Sequence, residues 1–422
     1  MQIQRMVWPW AFALLAGMFP SRGRAEPLRL SIEDAVARAA AVNFDVGSSR
    51  KDIEVAQASL ERSQAWLPAN PYFAAGAQRT SSSGVGPNYA LQLSQEFEIA
   101  GQRGTRIRSA TRAVEKATSD LETAQQNLIA AVKAAYIDAL VGLQRVTLGQ
   151  QALAAAQRVA APMATSSATS EIQRIDRNLA QIQESRGRRE VAAAEHARDS
   201  AFATLRRLAG IAYDQPLELT GTLRTEIVEL PPTPALVEGA LQRRTDLAAL
   251  RHYAEHAGLQ VELAKKTRLP NVTLSGTVSR FEGDTLTGGD VGFALPLFDR
   301  KQADIHENTA ERDRLTLQKQ YLERTIAQEV VEARGTCTAA AVDLDALNRE
   351  IVPKSEENFA LEGRLYDRHV VSIADLIGVH VDLLLARREQ LDAVQAYNQA
   401  LVELERVIAG SLNLGAGHPA VP

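Results

Sequence analysis

The chain has a single cysteine, Cys337, in 422 residues. An intrachain disulfide is therefore excluded, and so is any cysteine metal cluster. Aromatic residues make up only 5% of the chain, and basic residues alternate with acidic ones at a formal net charge of −4. No basic stripe marks it as a nucleic-acid binder. After the N-terminal segment no run reaches the roughly 20 apolar residues of a membrane-spanning helix. No glycine-rich loop leads into Lys-Ser or Lys-Thr, so a nucleotide-driven motor is not encoded. Proline is missing from Gln302 to Glu350 and again from Ser372 to Ala409. At 1.5 Å per residue the first of these runs reaches about 70 Å as one helix.

What is present begins with an export signal. Arg5 supplies the basic start, Trp8 to Phe19 the apolar core, and Gly23-Arg24-Ala25 a small-x-small cleavage site, so residues 1–25 are expected to be a secretory signal peptide. Glu26 follows, where a lipid-modified N-terminus needs cysteine.

The rest is one piece written twice. A helical stretch from near Ser31 ends in Trp66-Leu67-Pro68, two short strand-like runs follow, then a very long helical stretch; all of this recurs from Pro234 at a shift of about 200 residues. Leu67-Pro68 becomes Leu269-Pro270, and Ala209-Gly210 becomes Ala409-Gly410. The expected division is a first repeat over 26–214, a connector over 215–233 carrying Pro216, Pro231 and Pro232 with one short strand, a second repeat over 234–411, and a tail over 412–422. Four strands cannot close a barrel, so the sheet must be completed by other chains.

In the second repeat Ile373, Leu376, Leu383, Leu391, Val394, Tyr397, Leu401, Leu404 and Ile408 step by threes, fours and sevens. In the first, Leu121, Leu128, Val132, Tyr136, Leu140 and Leu143 are answered by Ile172, Ile175, Leu179, Ile182, Phe202 and Leu205. Both patterns predict long antiparallel helical hairpins. The strand runs alternate with period two. Val272, Leu274 and Val278 alternate with Thr273, Ser275, Thr277 and Ser279; Val291, Phe293, Leu295 and Leu297 alternate with small residues over 290–298; Tyr89, Leu91 and Leu93 alternate with Gln92 and Ser94. Such alternation fits a membrane strand lining a wet lumen, with Leu274 and Phe293 toward lipid and Thr273 and Ser275 toward water. It equally fits a soluble hairpin with one face on a core. In Tyr72 to Thr80 alanine and glycine fill both faces.

These features carry a resemblance. Leu67-Pro68-Ala69-Asn70-Pro71, the stretch from Gln95 to Arg103, Thr245 to Leu250, Leu269-Pro270-Asn271 and Leu295 to Ile305 resemble the outer-membrane factor, or TolC, family, and within it the cation-efflux branch typified by CzcC. Ala303 replaces a usual glycine, and Ala100-Gly101-Gln102-Arg103 stands for the branch's Gly-Gly-Lys-Arg. The resemblance implies a mainly α fold with a small β portion: duplicated helical hairpins forming an α-barrel, and four strands per chain contributing to a trimeric twelve-stranded transmembrane β-barrel. It implies a passive outer-membrane duct exporting divalent heavy-metal cations, reaching into the periplasm and driven by an inner-membrane, proton-coupled resistance-nodulation-division pump through a periplasmic adaptor protein. The expected partners are two further copies, adaptor, pump and outer-membrane lipid, with no nucleic acid, cofactor or catalytic residue. Twelve strands leave room for water where eight would be filled by side chains.

At the helix-hairpin tips family members carry a glycine before a serine and an Asp-Leu pair. This chain has Ser372 and Asp375-Leu376 but His369 in the glycine place, and Ala168-Thr169-Ser170 in the first copy. Ser170, His369 and Ser372 are the expected adaptor-contact tips. Glu171, Asp176, Asp367 and Asp375 are the expected periplasmic gate, since threefold assembly turns them into acidic rings that favour cations; a charge at a helix end is otherwise only solvated. His252-Tyr253-Ala254-Glu255-His256 matches the H-x-x-E-H pattern of some zinc peptidases, but nothing indicates a third ligand, and it is expected to be a solvated helix face. Beside the metal duct stand a duct for organic solutes or drugs, a non-conducting periplasmic coiled-coil adaptor or scaffold, and a metallopeptidase.

Overall fold

The computed structural model describes residues 27–79, 87–165, 170–281, 283–368 and 370–412. The expected signal peptide, Thr80, Ala168, Thr169, His369 and the tail beyond Leu412 lie outside the described residues. In the first repeat come β1 (Leu28–Leu30), α1 (Ile32–Val42), α2 (Phe44–Gln64), β2 (Tyr72–Gln78), β3 (Asn88–Phe97), α3 (Gln102–Thr165) and α4 (Glu171–Ala209). After β4 (Leu217–Leu219) the second has α5 (Thr233–Arg243), α6 (Thr245–Lys266), β5 (Val272–Phe281), β6 (Asp284–Phe293), α7 (Gln302–Ala346), a π-helical turn (Leu347–Ile351), α8 (Val352–Asp367) and α9 (Ile373–Val407).

Each repeat has its own core where the short helices meet the long hairpin. Leu128, Val132 and Tyr136 of α3 pack with Leu205 of α4 and with Ala35, Ala39 and Val46 of α1 and α2. Ile326, Val330 and Cys337 of α7 pack with Tyr397, Leu401 and Leu404 of α9 and with Leu236, Ala240 and Leu247 of α5 and α6. Fully burying such a side chain contributes about 1.5–3 kcal/mol. β1 pairs in parallel with β4, and the Tyr136 hydroxyl donates toward Leu30 O at 2.9 Å and Thr220 O at 3.1 Å, holding that pair on α3. The rest of the connector lies on the second repeat: Asn398 accepts from Arg224 N and donates to Arg224 O, and Val228 N donates to the Tyr397 hydroxyl.

The long helices depart from the sequence reading in three places. The helix from Gln302 does not end near Glu350 but continues to Asp367 through the π turn. Pro353 offers no N–H and its ring crowds the carbonyl of Arg349; widening the preceding turn takes up the misfit. In the first hairpin the apolar seam is packed near its base, whereas Leu143, Ile175 and Ile182 are exposed. There α3 and α4 meet on small residues, so close that a Cβ at Gly142 would stand 3.0 Å from Arg198 Cα. Third, one window of α3 is apolar and long enough to cross a bilayer, but 56% of it is buried among other helices, so it serves as a core helix.

The duplication is also offset at the helix ends. Gly210 closes α4 in the left-handed conformation (φ 63°), and the residue doing so after α9 is Ala409 (φ 48°), not Gly410. A Cβ at this conformation costs about 1 kcal/mol. We expect Ala409→Gly to raise stability by about 0.5–1 kcal/mol, read from thermal loss of helical circular dichroism. Gly210→Ala should lower it by at least as much, because its Cβ would lie 2.6 Å from Val42 Cγ2. Equal stability in both variants would contradict this assignment.

Candidate functional site

The four-stranded sheet runs β2-β3-β5-β6, all antiparallel. Ladder partners share a face, so the register sorts the side chains. Glu96 faces Thr273, Ser94 faces Ser275, and Gln92 faces Thr277; Asp290 joins Ser275. On the other face Phe97 meets Val272, Leu91 meets Val278, Val291 meets Leu274, and Phe293 meets Val272. Leu274 and Phe293 therefore lie together, opposite Thr273 and Ser275. The polar face also carries Phe281 and Leu286 near the β5–β6 turn and Tyr72, the ladder partner of Ser94, at the other end of the sheet. β6 begins earlier and ends earlier than the expected 290–298: Leu295 and Leu297 lie beyond it, where Pro296 cannot donate to a ladder.

Among the described residues no other element covers the apolar face. Phe73 is 63% exposed, Val291 68% and Phe293 60%. A largely apolar face of this kind, broken by Gln95 beside Leu274 and by Arg280 and Thr285 near the β5–β6 turn, marks a surface that meets lipid or another chain. Both outer strands, β2 and β6, have one unpaired edge.

Below the strands the chain turns into the long helices by the same device twice. Gln102 Oε1 accepts Ala100 N at 2.8 Å, and Gln302 Oε1 accepts Arg300 N at 2.8 Å. Gly101 (φ 71°) supplies the left-handed residue in the first copy; Lys301 (φ 59°) does so in the second, its N–H bonded to Asp299 and its ammonium between Asp299 and Asp304. Gln102 is also buried against the other repeat, donating to Asn271 Oδ1 at 3.3 Å, and Asn271 donates to Glu96 at 2.8 Å.

The H-x-x-E-H helix is not a solvated face. His256 Nδ1 lies 3.0 Å from Ser109 Oγ and 2.8 Å from Ser109 O, Glu255 pairs with Arg112 at 2.8 Å, and His252 Nδ1 is 3.1 Å from a Glu115 oxygen. With Arg108–Glu262 at 2.8 Å, these contacts fasten α6 of the second repeat to α3 of the first. The Glu262 carboxyl is held below its ordinary 4.5, chiefly by hydrogen bonding to Lys266. No group of three or more His, Cys, Asp and Glu able to hold a metal ion occurs among the described residues.

At the tips, Ser170 Oγ accepts Gln173 N and Gln173 Oε1 accepts Ser170 N. Ser372 Oγ accepts Asp375 N, while the Asp375 carboxylate accepts Ser372 N at 2.9 Å and Ser372 Oγ at 2.6 Å. Both serines are thus N-caps of capping boxes. Sequence reasoning missed this, although the Ser-x-x-Gln and Ser-x-x-Asp spacing announces it. The Ser372 hydroxyl, then its backbone, holds the Asp375 carboxyl below the ordinary 3.8. Glu171 and Asp367 are exposed and Asp176 is half-buried.

The profile of the family described as outer membrane efflux protein matches residues 35–211 and 236–410. The nickel-cobalt-cadmium resistance protein NccC of Alcaligenes xylosoxydans xylosoxydans is 26% identical over 303 residues, which are 70% of this chain and 66% of that relative's length. Among solved structures, CusC, described through transmembrane channel formation, superposes with a TM-score of 0.76 at 15% identity over 97% of this chain and 99% of its own. The MtrE outer membrane channel of Neisseria gonorrhoeae, in its open state, gives 0.76 at 17% identity over 92% and 91%.

If the apolar face meets lipid, Leu274→Arg should destabilise the assembled protein by about 2–4 kcal/mol, the cost of arginine near the bilayer midplane. Thr273→Arg, on the opposite face, should leave assembly intact and change conductance. Equal loss of folded protein in both would show the two faces to be misassigned.

Proposed function

The chain belongs to the outer membrane efflux protein family, non-enzymatic ducts of the outer membrane with a helical periplasmic tunnel, and from that premise we propose that three copies form a passive conduit for divalent heavy-metal cations. The observation that carries the reading is the two-faced sheet with two open edges. In lipid an unpaired strand edge costs several kcal/mol per backbone group, so β2 of one copy must pair with β6 of the next. Three copies give twelve strands with the polar face inward and room for water.

Metal cargo is supported by the similarity to NccC. A wide wet duct selects weakly, so the choice of ion falls to an inner-membrane proton-coupled resistance-nodulation-division pump, reached through a periplasmic adaptor that meets the tips at Ser170, His369 and Ser372. Glu171, Asp176, Asp367 and Asp375, gathered around the axis, make an acidic constriction that favours cations.

Purified protein in planar bilayers should show a water-filled conductance; no conductance would overturn the duct. Cells lacking the gene should become sensitive to nickel, cobalt or cadmium and recover on complementation. Sensitivity to organic toxicants alone would replace metal by organic cargo. Asp367→Asn with Asp375→Asn should lower cation preference and divalent-ion block without impairing assembly, because the asparagine amide oxygen that replaces the Asp375 carboxylate still accepts from Ser372. Unchanged selectivity would mean that these carboxylates do not line the constriction.

A further inference from the structure

The packing of one repeat on the other within a chain is a template for the packing of one chain on the next. α3 lies against α6 and α9 of the second repeat, but its counterpart α7 has no comparable first-repeat neighbour among the described residues. The equivalences follow from buried positions rather than from a constant shift. Leu128 and Val132 of α3 answer Ile326 and Val330 of α7; Val46 of α2 answers Leu247 of α6; Leu205 of α4 answers Leu404 of α9.

Along α4 and α9 this alignment superposes Arg188-Arg189-Glu190 on Arg387-Arg388-Glu389, the same tripeptide twice. Inside the chain Glu190 of the first repeat pairs with Arg388 of the second at 2.6 Å. The counterparts of those two residues, Glu389 and Arg189, are both exposed, and among the described residues neither has a hydrogen-bond or ion-pair partner. A second seam agrees. Thr123 of α3 meets Thr245 of α6, Oγ1 to Oγ1 at 2.7 Å. Their counterparts are Tyr321 and Phe44, left 73% and 81% exposed. Large apolar side chains thus stand in the open where the equivalent positions are in contact.

We propose that the occupant of this face is a second copy of the chain, docked so that Glu389 pairs with Arg189 of the next copy and Tyr321 packs on its Phe44. The inference rests on the trimeric reading and adds its contact residues. A head-to-tail interface of this kind closes into a ring when its rotation divides a full turn. Within the ring the Glu–Arg pair then recurs at every repeat boundary, alternately inside a chain and between chains.

The test uses Arg189→Cys with Glu389→Cys and a short bis-maleimide on the full protein in detergent. The native thiol does not interfere: Cys337 is buried, and burial pushes its pKa up to about 11. The expected result is conversion to dimer- and trimer-sized bands on denaturing gels. Glu190→Cys with Arg388→Cys should react at similar yield and leave the band at monomer size. The mass of the uncrosslinked particle is measured separately. A particle of three copies without crosslinked bands from the 189/389 pair overturns this docking and leaves the trimer standing. A monomeric particle overturns both.

Discussion

An unpaired strand edge cannot rest in lipid, and the architecture follows from that constraint. The larger sheet has four strands in the order β2-β3-β5-β6, pairs three boundaries internally, and leaves the outer edges of β2 and β6 open. In water such edges invite aggregation; in hydrocarbon they have no solvent to fall back on. The apolar face with Phe73, Leu274 and Val291 rules out simple solvation, and the polar face with Ser94, Thr273 and Asp290 rules out burial in a dry core. A ring of copies with water inside and lipid outside satisfies the edges and both faces together.

The helical part repeats the logic on a larger scale. Each repeat is stabilised locally by its own core, around Val132 and Leu205 in one and Val330 and Leu404 in the other. The repeats are then joined by polar and ionic contacts rather than by a shared apolar core: Arg108–Glu262, Lys133–Glu405 at 2.8 Å and Arg145–Asp392 at 2.5 Å. Arg108–Glu262 and Arg145–Asp392 are largely solvent-accessible pairs of the kind that contribute little each, about 0–1 kcal/mol, and Lys133–Glu405 is half-buried. They are better suited to setting register between long helices than to holding them together.

The sequence displays the duplication, the strand faces and the long hairpins because period-two and period-three-to-four patterns are local. It conceals what depends on a partner. The His252–His256 helix looks solvated in sequence because its neighbour, α3, lies in the other repeat and no periodicity reports it. The alternation misplaces the end of β6 because Leu295 and Leu297 continue it past the last paired residue. The π turn before Pro353 and the capping boxes at Ser170 and Ser372 are written in residue spacing, yet hydrophobic periodicity alone passes over them. The repeated Arg-Arg-Glu tripeptide can be aligned only once buried positions show that the offset between repeats varies along the chain.

Whether copies of the chain close the ring is read from amide hydrogen exchange at the outer edges of β2 and β6 in the assembled protein in lipid nanodiscs. In a closed ring the outward-pointing amides of Tyr72 to Gln78 and Asp284 to Phe293 are protected to the same degree as those shared between β3 and β5. Exchange of these edge amides at the rate of free backbone, with β3 and β5 still protected, would show that the edges are unpaired and that copies of the chain do not close the ring.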